Sequence, residues 1–168
     1  RGSPSCGLER VRLYHANGQA TRDGQGLFAS ELLRRFPELP VEEEGRLNDP
    51  RLRENFVSRV FCYQRWRDLC APGFRRSSLT VFHAQHKYLL MSRNQAGAKR
   101  LGALLGEGKA IPLSSLASQY FKMFMEVMRH TPTRRSHTNV LQHLAGHFSD
   151  QLESSDRAEL ADTIDRYR

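Results

Sequence analysis

The chain has 168 residues, 39% hydrophobic and 26% charged, with a formal net charge of +8. That is enough apolar material for a buried core, which excludes a disordered chain, and no apolar run reaches the length of a membrane-spanning helix. Three cysteines (Cys6, Cys62 and Cys70), with no C-x-x-C pair and no signal-peptide pattern, argue against a secreted disulfide framework, so a cytoplasmic protein is expected.

The opening run Arg1-Gly2-Ser3-Pro4-Ser5-Cys6-Gly7 reads as a loop with no element before it, as a cut in a longer chain would leave. Arg10–Tyr14 alternates polar and apolar residues like a half-buried strand, and Asn17-Gly18 supplies a tight turn after it. Asp23-Gly24-Gln25-Gly26 reads as a turn into a short amphipathic helix, 27–36, stopped by Pro37. Leu39–Glu44 reads as a brief edge strand, so the order strand, helix, strand suits the end of a parallel α/β sheet.

Asp49 and Pro50 mark a helix start, and Leu52, Phe56, Val57, Val60, Phe61 and Tyr63 to Trp66 trace a long helix to about Cys70. A further helix begins at Ser77 or Ser78, with Leu79, Phe82, His83, His86 and Leu90 on one face. Others cover about 95–105, run onward from Pro112 with a wide apolar stripe, and start at Thr131-Pro132. The last begins at Ser155 or Asp156, where Asp156 and Glu159 have capping-box spacing. The expected fold is mainly α: a helical bundle over 77–168, a connecting helix over 48–76, and a partial α/β segment, strand–helix–strand, over 1–47.

Charge is unevenly placed. Residues 75–135 carry 11 basic side chains against only Glu107 and Glu126, whereas 136–168 carry 3 basic and 6 acidic. Such a block attracts phosphate-bearing partners, nucleic acid among them. It is equally readable as a solvated basic face balanced by the two ends.

Four groups of residues could carry chemistry. Cys6 between Ser5 and Gly7 lies where a bend exposes backbone amides to a thiolate or a cluster sulfur, although one cysteine cannot hold a cluster. Cys62 and Cys70, on the long helix, read as packed thiols. Six of the seven histidines fall between 83 and 147: His83 and His86 stand i, i+3 with Lys87 beside them, and His143 and His147 stand i, i+4 with Asn139 one turn before. These spacings suit a metal site, but no carboxylate stands at ligand spacing, which favours a buried polar network linking His83 or His86 to Asn139 or Gln142. Alternatively Lys87, Arg134, Arg135, His137 and Asn139 could converge on a phosphate near a helix start.

Two long motifs then carry a resemblance. Phe82-His83-Ala84-Gln85-His86-Lys87-Tyr88-Leu89-Leu90-Met91, followed by Thr133-Arg134-Arg135-Ser136-His137-Thr138-Asn139-Val140-Leu141-Gln142-His143, closely resembles the YbgA-like helical domain of bacteria, whose role is unassigned. The likeness covers about residues 78–168. Ser3-Pro4-Ser5-Cys6-Gly7 and Leu39–Gly45 resemble the C-terminal end of the thiouracil desulfurase type, often fused ahead of it. In that type three cysteines hold a 4Fe-4S cluster whose open iron takes sulfur from a thiolated nucleobase. The resemblance implies that Cys6 is one cluster ligand, with the other two outside this chain, so that no cluster is expected in the chain alone. The leading expectation is the C-terminal portion of such a fusion, with an RNA-derived thiolated base as the substrate of the parent. The alternatives are a non-catalytic phosphate or nucleic-acid binding module and a histidine-based metal enzyme.

Overall fold

The computed structural model describes residues 2–168, with the backbone alone at Lys109. Among the described residues the protein is mainly α with a partial α/β start, and no helix is long and apolar enough to cross a membrane. It divides into two units, 1–64 and 65–168.

In the first unit, β1 (Val11–Tyr14) pairs antiparallel with β2 (Ala20–Gly24), in the register Val11↔Gly24, Leu13↔Thr21 and Tyr14↔Ala20 with an irregularity after Val11. Asn17-Gly18 makes the turn: Gly18 has φ +79°, and Asn17 Oδ1 accepts from Gln19 N at 3.1 Å. The order is therefore a hairpin followed by a helix, α1 (Leu27–Arg35), and Asp23-Gly24 closes a strand instead of forming a turn. The expected edge strand at Leu39–Glu44 is irregular chain leading into a 3-10 helix, Glu44–Asn48. Two causes are visible. Pro40 offers no backbone donor, and Glu43 is committed elsewhere, its Oε1 accepting from Leu8 N at 3.1 Å and Glu9 N at 3.3 Å.

The connecting helix, α2 (Pro50–Leu69), starts where expected, with Asp49 Oδ1 accepting from Arg51 N at 2.8 Å. Its inward stripe differs from the apolar pattern. Asn55, Arg59, Cys62 and Trp66 are buried at helical spacing, while Val57, Val60 and Phe61 are exposed.

The second unit holds the end of α2 and five further helices: α3 (Arg76–Arg93), α4 (Gln95–Glu107), α5 (Leu113–Met128), α6 (Arg134–Phe148) and α7 (Ser154–Tyr167). Its core is aromatic. Trp66 stacks on Phe121 with centroids 4.6 Å apart, meets Phe82 edge-on at 5.3 Å, and lies 5.8 Å from Tyr120. Leu79, Leu90, Leu101, Leu116, Phe124 and Met128 fill the space around them.

Helix ends are tied by side chains. Asn94 sits in the one-residue break between α3 and α4, and its Oδ1 accepts from Gly97 N at 3.0 Å. Arg76 donates to the carbonyls of Gly108 and Ile111, both at 2.7 Å, and so closes the chain after α4. Thr133 and Ser136 form a reciprocal capping box at the start of α6. The box anticipated for the last helix is absent: α7 begins at Ser154, Asp156 falls in its first turn, and Glu153, three residues before Asp156, occupies the cap position without a side-chain bond.

Gly97 marks the close approach of α4 to α5, since a Cβ there would lie 2.4 Å from Val127 Cγ2. At Gly102 it would find only His83 Nε2 at 3.7 Å. Gly97→Ala is therefore expected to destabilise the protein by about 1–3 kcal/mol through overpacking. Gly102→Ala is expected to be neutral or to gain up to about 1 kcal/mol from helix propensity. Urea unfolding of both variants checks the contrast.

Candidate functional site

Two regions bear the sequence-predicted residues, one in each unit. The first is the Cys6 loop. Residues 3–7 wrap over the start of α1, whose first amides would otherwise lack partners. Leu27 N donates to Pro4 O at 3.0 Å, Phe28 N to Ser5 O at 2.9 Å, and Gly26 N to Gly7 O at 2.8 Å. Inside the loop, Gly7 N donates to Ser3 O at 2.9 Å. Closeness of backbone to backbone dictates the glycines: a Cβ would come within 2.8 Å of Ser3 O at Gly7 and 2.4 Å of Ser5 O at Gly26. The loop is thereby fastened to the helix, with Cys6 exposed on it and Leu27 and Phe28 also exposed at the helix start.

Could these residues hold an iron–sulfur cluster? A cluster needs several thiolates on one point. All three cysteines are free thiols; Cys62 is buried in α2, and desolvation pushes the Cys70 thiol up. Among the described residues no three His, Cys, Asp or Glu side chains group as a metal site. Among the described residues, then, no such set of thiolates is gathered on one point.

The second region is the set of histidine-bearing helices. His86 is only 2% exposed, and its Nδ1 donates to the Phe82 carbonyl at 2.7 Å, against the Phe82 ring at 4.2 Å between centroids. His83, one turn back, is half-buried and pairs through Nδ1 with the buried Tyr120 hydroxyl at 3.0 Å. Their partners are thus Phe82 and Tyr120, where the sequence pointed to Asn139 or Gln142. Burial pushes both imidazoles below their ordinary value. Lys87 adds to this at His83, while at His86 the Phe82 carbonyl opposes it.

Three further histidines pair over long sequence separations. His147 Nε2 lies 2.5 Å from the Tyr88 hydroxyl, joining α6 to α3. His137 Nδ1 lies 2.9 Å from the Tyr167 hydroxyl, joining α6 to α7. His130 Nε2 takes Asn94 Nδ2 at 3.2 Å. Lys87 is exposed, with Nζ 5.8 Å from the Tyr88 ring centroid. Arg134 and Arg135 are exposed in the first turn of α6, Asn139 is half-buried, and His143 is exposed one turn before His147. The tyrosines were not legible as site residues, because no local spacing links positions 37, 59 and 30 residues apart.

Two surface hollows lie elsewhere. One, of about 230 Å³, is lined by Gln142, Arg157, Leu160, Ile164 and neighbours on α6 and α7. The other, of about 530 Å³, is lined by Arg65, Asp68, Leu69, Phe82 and Gln85. Gln142 lines the first, whereas the histidines, Lys87, Arg134, Arg135 and Asn139 line neither.

The chain aligns with the protein named "Uncharacterized protein YbgA" of Escherichia coli (strain K12), 28% identical over 123 residues, which is 73% of each chain. Residues 87–168 match the family described as "Protein of unknown function (DUF1722)". The helical module is YbgA-like. Within the YbgA-like segment matched by the family lie Lys87, Tyr88, Arg134, His137, Asn139, His143 and His147, whereas His83 and His86 stand just ahead of it. No solved structure matches the chain.

The buried His86 sets a pH dependence. Its folded-state value lies below the ordinary 6.5, so above that pH both states are neutral and the stability is complete. As pH falls through 6.5 the unfolded chain takes up a proton first, and stability declines by at most about 1.4 kcal/mol per pH unit for this group until the folded value is reached. Urea midpoints measured from pH 7.5 to 5 are expected to fall, and His86→Leu is expected to flatten the decline. An unchanged slope in that variant would remove His86 as its source.

Proposed function

We propose that this chain is the C-terminal portion of a bacterial iron–sulfur protein of the thiouracil desulfurase type, with the YbgA-like module as an accessory domain that presents a nucleic-acid-borne or RNA-derived thiolated base. The Cys6 loop carries the first half of this reading. It presents an exposed thiol on backbone fastened to a helix start, with glycines where no side chain fits. On this reading Cys6 is one of three cysteine ligands to a 4Fe-4S cluster, and the other two belong to the segment ahead of it in the parent protein. Full-length parent expressed without oxygen is expected to be brown, to contain about four iron atoms per chain, and to lose them on Cys6→Ser. A colourless, iron-free product would sink the reading.

One observation favours the second half, which also stands alone as a phosphate or nucleic-acid binding role. Arg75, Lys99, Arg100, Lys122, Arg134 and Arg135 are exposed, and the ion pairs seen among the described residues, Arg34 and Arg35 with Glu31, Arg46 with Glu42 and Arg166 with Asp162, involve none of them. Lys109, also in the basic block, lies outside the described side chains. Unpaired surface cations release counterions when they meet phosphates, so affinity depends steeply on salt. Arg134→Glu together with Arg135→Glu is expected to weaken RNA binding uniformly across sequences and to lower the log–log salt slope by about two. Filter binding from 50 to 200 mM salt measures this; no binding at the lower salt would exclude the role.

A further inference from the structure

His143 and His147 stand one turn apart on α6, both exposed. That spacing sets two imidazoles side by side on one helix face, about 5–6 Å apart at Cβ, and it is the spacing used by helical zinc motifs. Facing them from α3, the Tyr88 oxygen lies 2.5 Å from His147 Nε2. Two ligand atoms from different helices therefore converge on one point, and a third ligand waits one turn away. We propose that Tyr88, His143 and His147 form a binding site for a divalent transition-metal ion of the zinc, nickel and copper class, with the metal taking the place of the proton between Tyr88 and His147.

The surroundings suit a cation. His147 lies in the last turn of α6, where unpaired carbonyls concentrate partial negative charge. Gly146 leaves open space, since a Cβ there would meet nothing within 4 Å, and water can complete the coordination. Imidazole and oxygen ligands fit these metals, and three protein ligands with one open position is a common arrangement for them. Lys87 opposes binding, with its ammonium 5.8 Å from the Tyr88 ring, but it is exposed on a flexible stem and can swing away.

For the Tyr88–His147 pair the movement required is small. With metal–ligand bonds of about 2.0–2.1 Å in a tetrahedral site, neighbouring ligand atoms stand about 3.3 Å apart. The Tyr88–His147 pair must therefore open by about 0.8 Å, within reach of side-chain rotation at the surface. The phenol proton leaves to solvent, the phenolate oxygen and the two imidazole nitrogens bind the ion, and no oxidation state changes.

The test is calorimetric titration of the metal-free chain with Zn²⁺, Ni²⁺ and Cu²⁺, with absorbance followed during copper addition. One equivalent is expected to bind, and copper is expected to give a visible phenolate-to-metal charge-transfer band. Tyr88→Phe should abolish the band, and His143→Ala should weaken binding about ten-fold or more. His15→Ala, on the hairpin turn, should change neither. Circular dichroism confirms folding of each variant; all but Tyr88 are exposed positions, and Tyr88→Phe keeps the ring. Absence of stoichiometric binding, or binding unchanged in His143→Ala, would overturn the proposal, and neither outcome depends on Cys6 or on RNA.

Discussion

The helical module depends on where one indole ring sits. Trp66, in the last turns of α2, stacks on Phe121 and touches Tyr120, Phe82 and Phe74, so α5, α3 and the loop before α3 are all registered against a single rigid plane. Aromatic contacts of this kind add roughly 0.5–1.5 kcal/mol per pair beyond area burial. Because the rings have few rotamers, they also fix geometry. His86 is held against Phe82 and Phe124 in consequence, and the Tyr120 hydroxyl is delivered to His83.

Outside that core, pairs of histidine with tyrosine or asparagine join the helices. His83–Tyr120 joins α3 to α5, Tyr88–His147 joins α3 to α6, and His137–Tyr167 joins α6 to α7. The apolar faces of α6 and α7 are modest, with Val140 and Ile164 as their buried hydrophobic residues. Polar joints with defined donors and acceptors then fix register where apolar packing is thin. In the basic block Arg75, Lys99, Arg100, Lys122, Arg134 and Arg135 are exposed, whereas Arg93 is buried and Arg76 is tied to the Gly108 and Ile111 carbonyls.

In the first unit the organising constraint is backbone proximity. The loop carbonyls of Pro4 and Ser5 take the first amides of α1, and Gly7 and Gly26 permit the approach. Glu43 reaches back to the amides of Leu8 and Glu9, which fastens the segment after α1 to the same loop. Cys6 is thus held by short-range bonds on both sides, and its exposure is a property of the loop's path.

Helix identity and the main breaks were legible from sequence, because they rest on local chemistry: Asp49-Pro50 and Pro112 begin helices, Pro37 and Gly108 lie just past helix ends, and the start expected at Thr131-Pro132 falls slightly later, at the Thr133 cap. The uneven charge was legible for the same reason. Strand β2 was not, since Ala20–Asp23 is exposed and the segment shows no apolar alternation, and only pairing with Val11–Tyr14 makes it a strand. Nor was the inward face of α2, where Asn55 and Arg59 are buried and Phe61 is not. Histidine spacing on the helices was legible, but the side chains that His83, His147 and His137 meet come from 30 to 59 residues away. Such partners are chosen by how the helices pack, the Trp66 stack fixing Tyr120 for His83, which no local pattern encodes. Sequence alone determined which groups could do chemistry; tertiary structure decided which of them meet, because hydrogen bonds and ligation act over about 3 Å and only the folded chain brings distant residues that close.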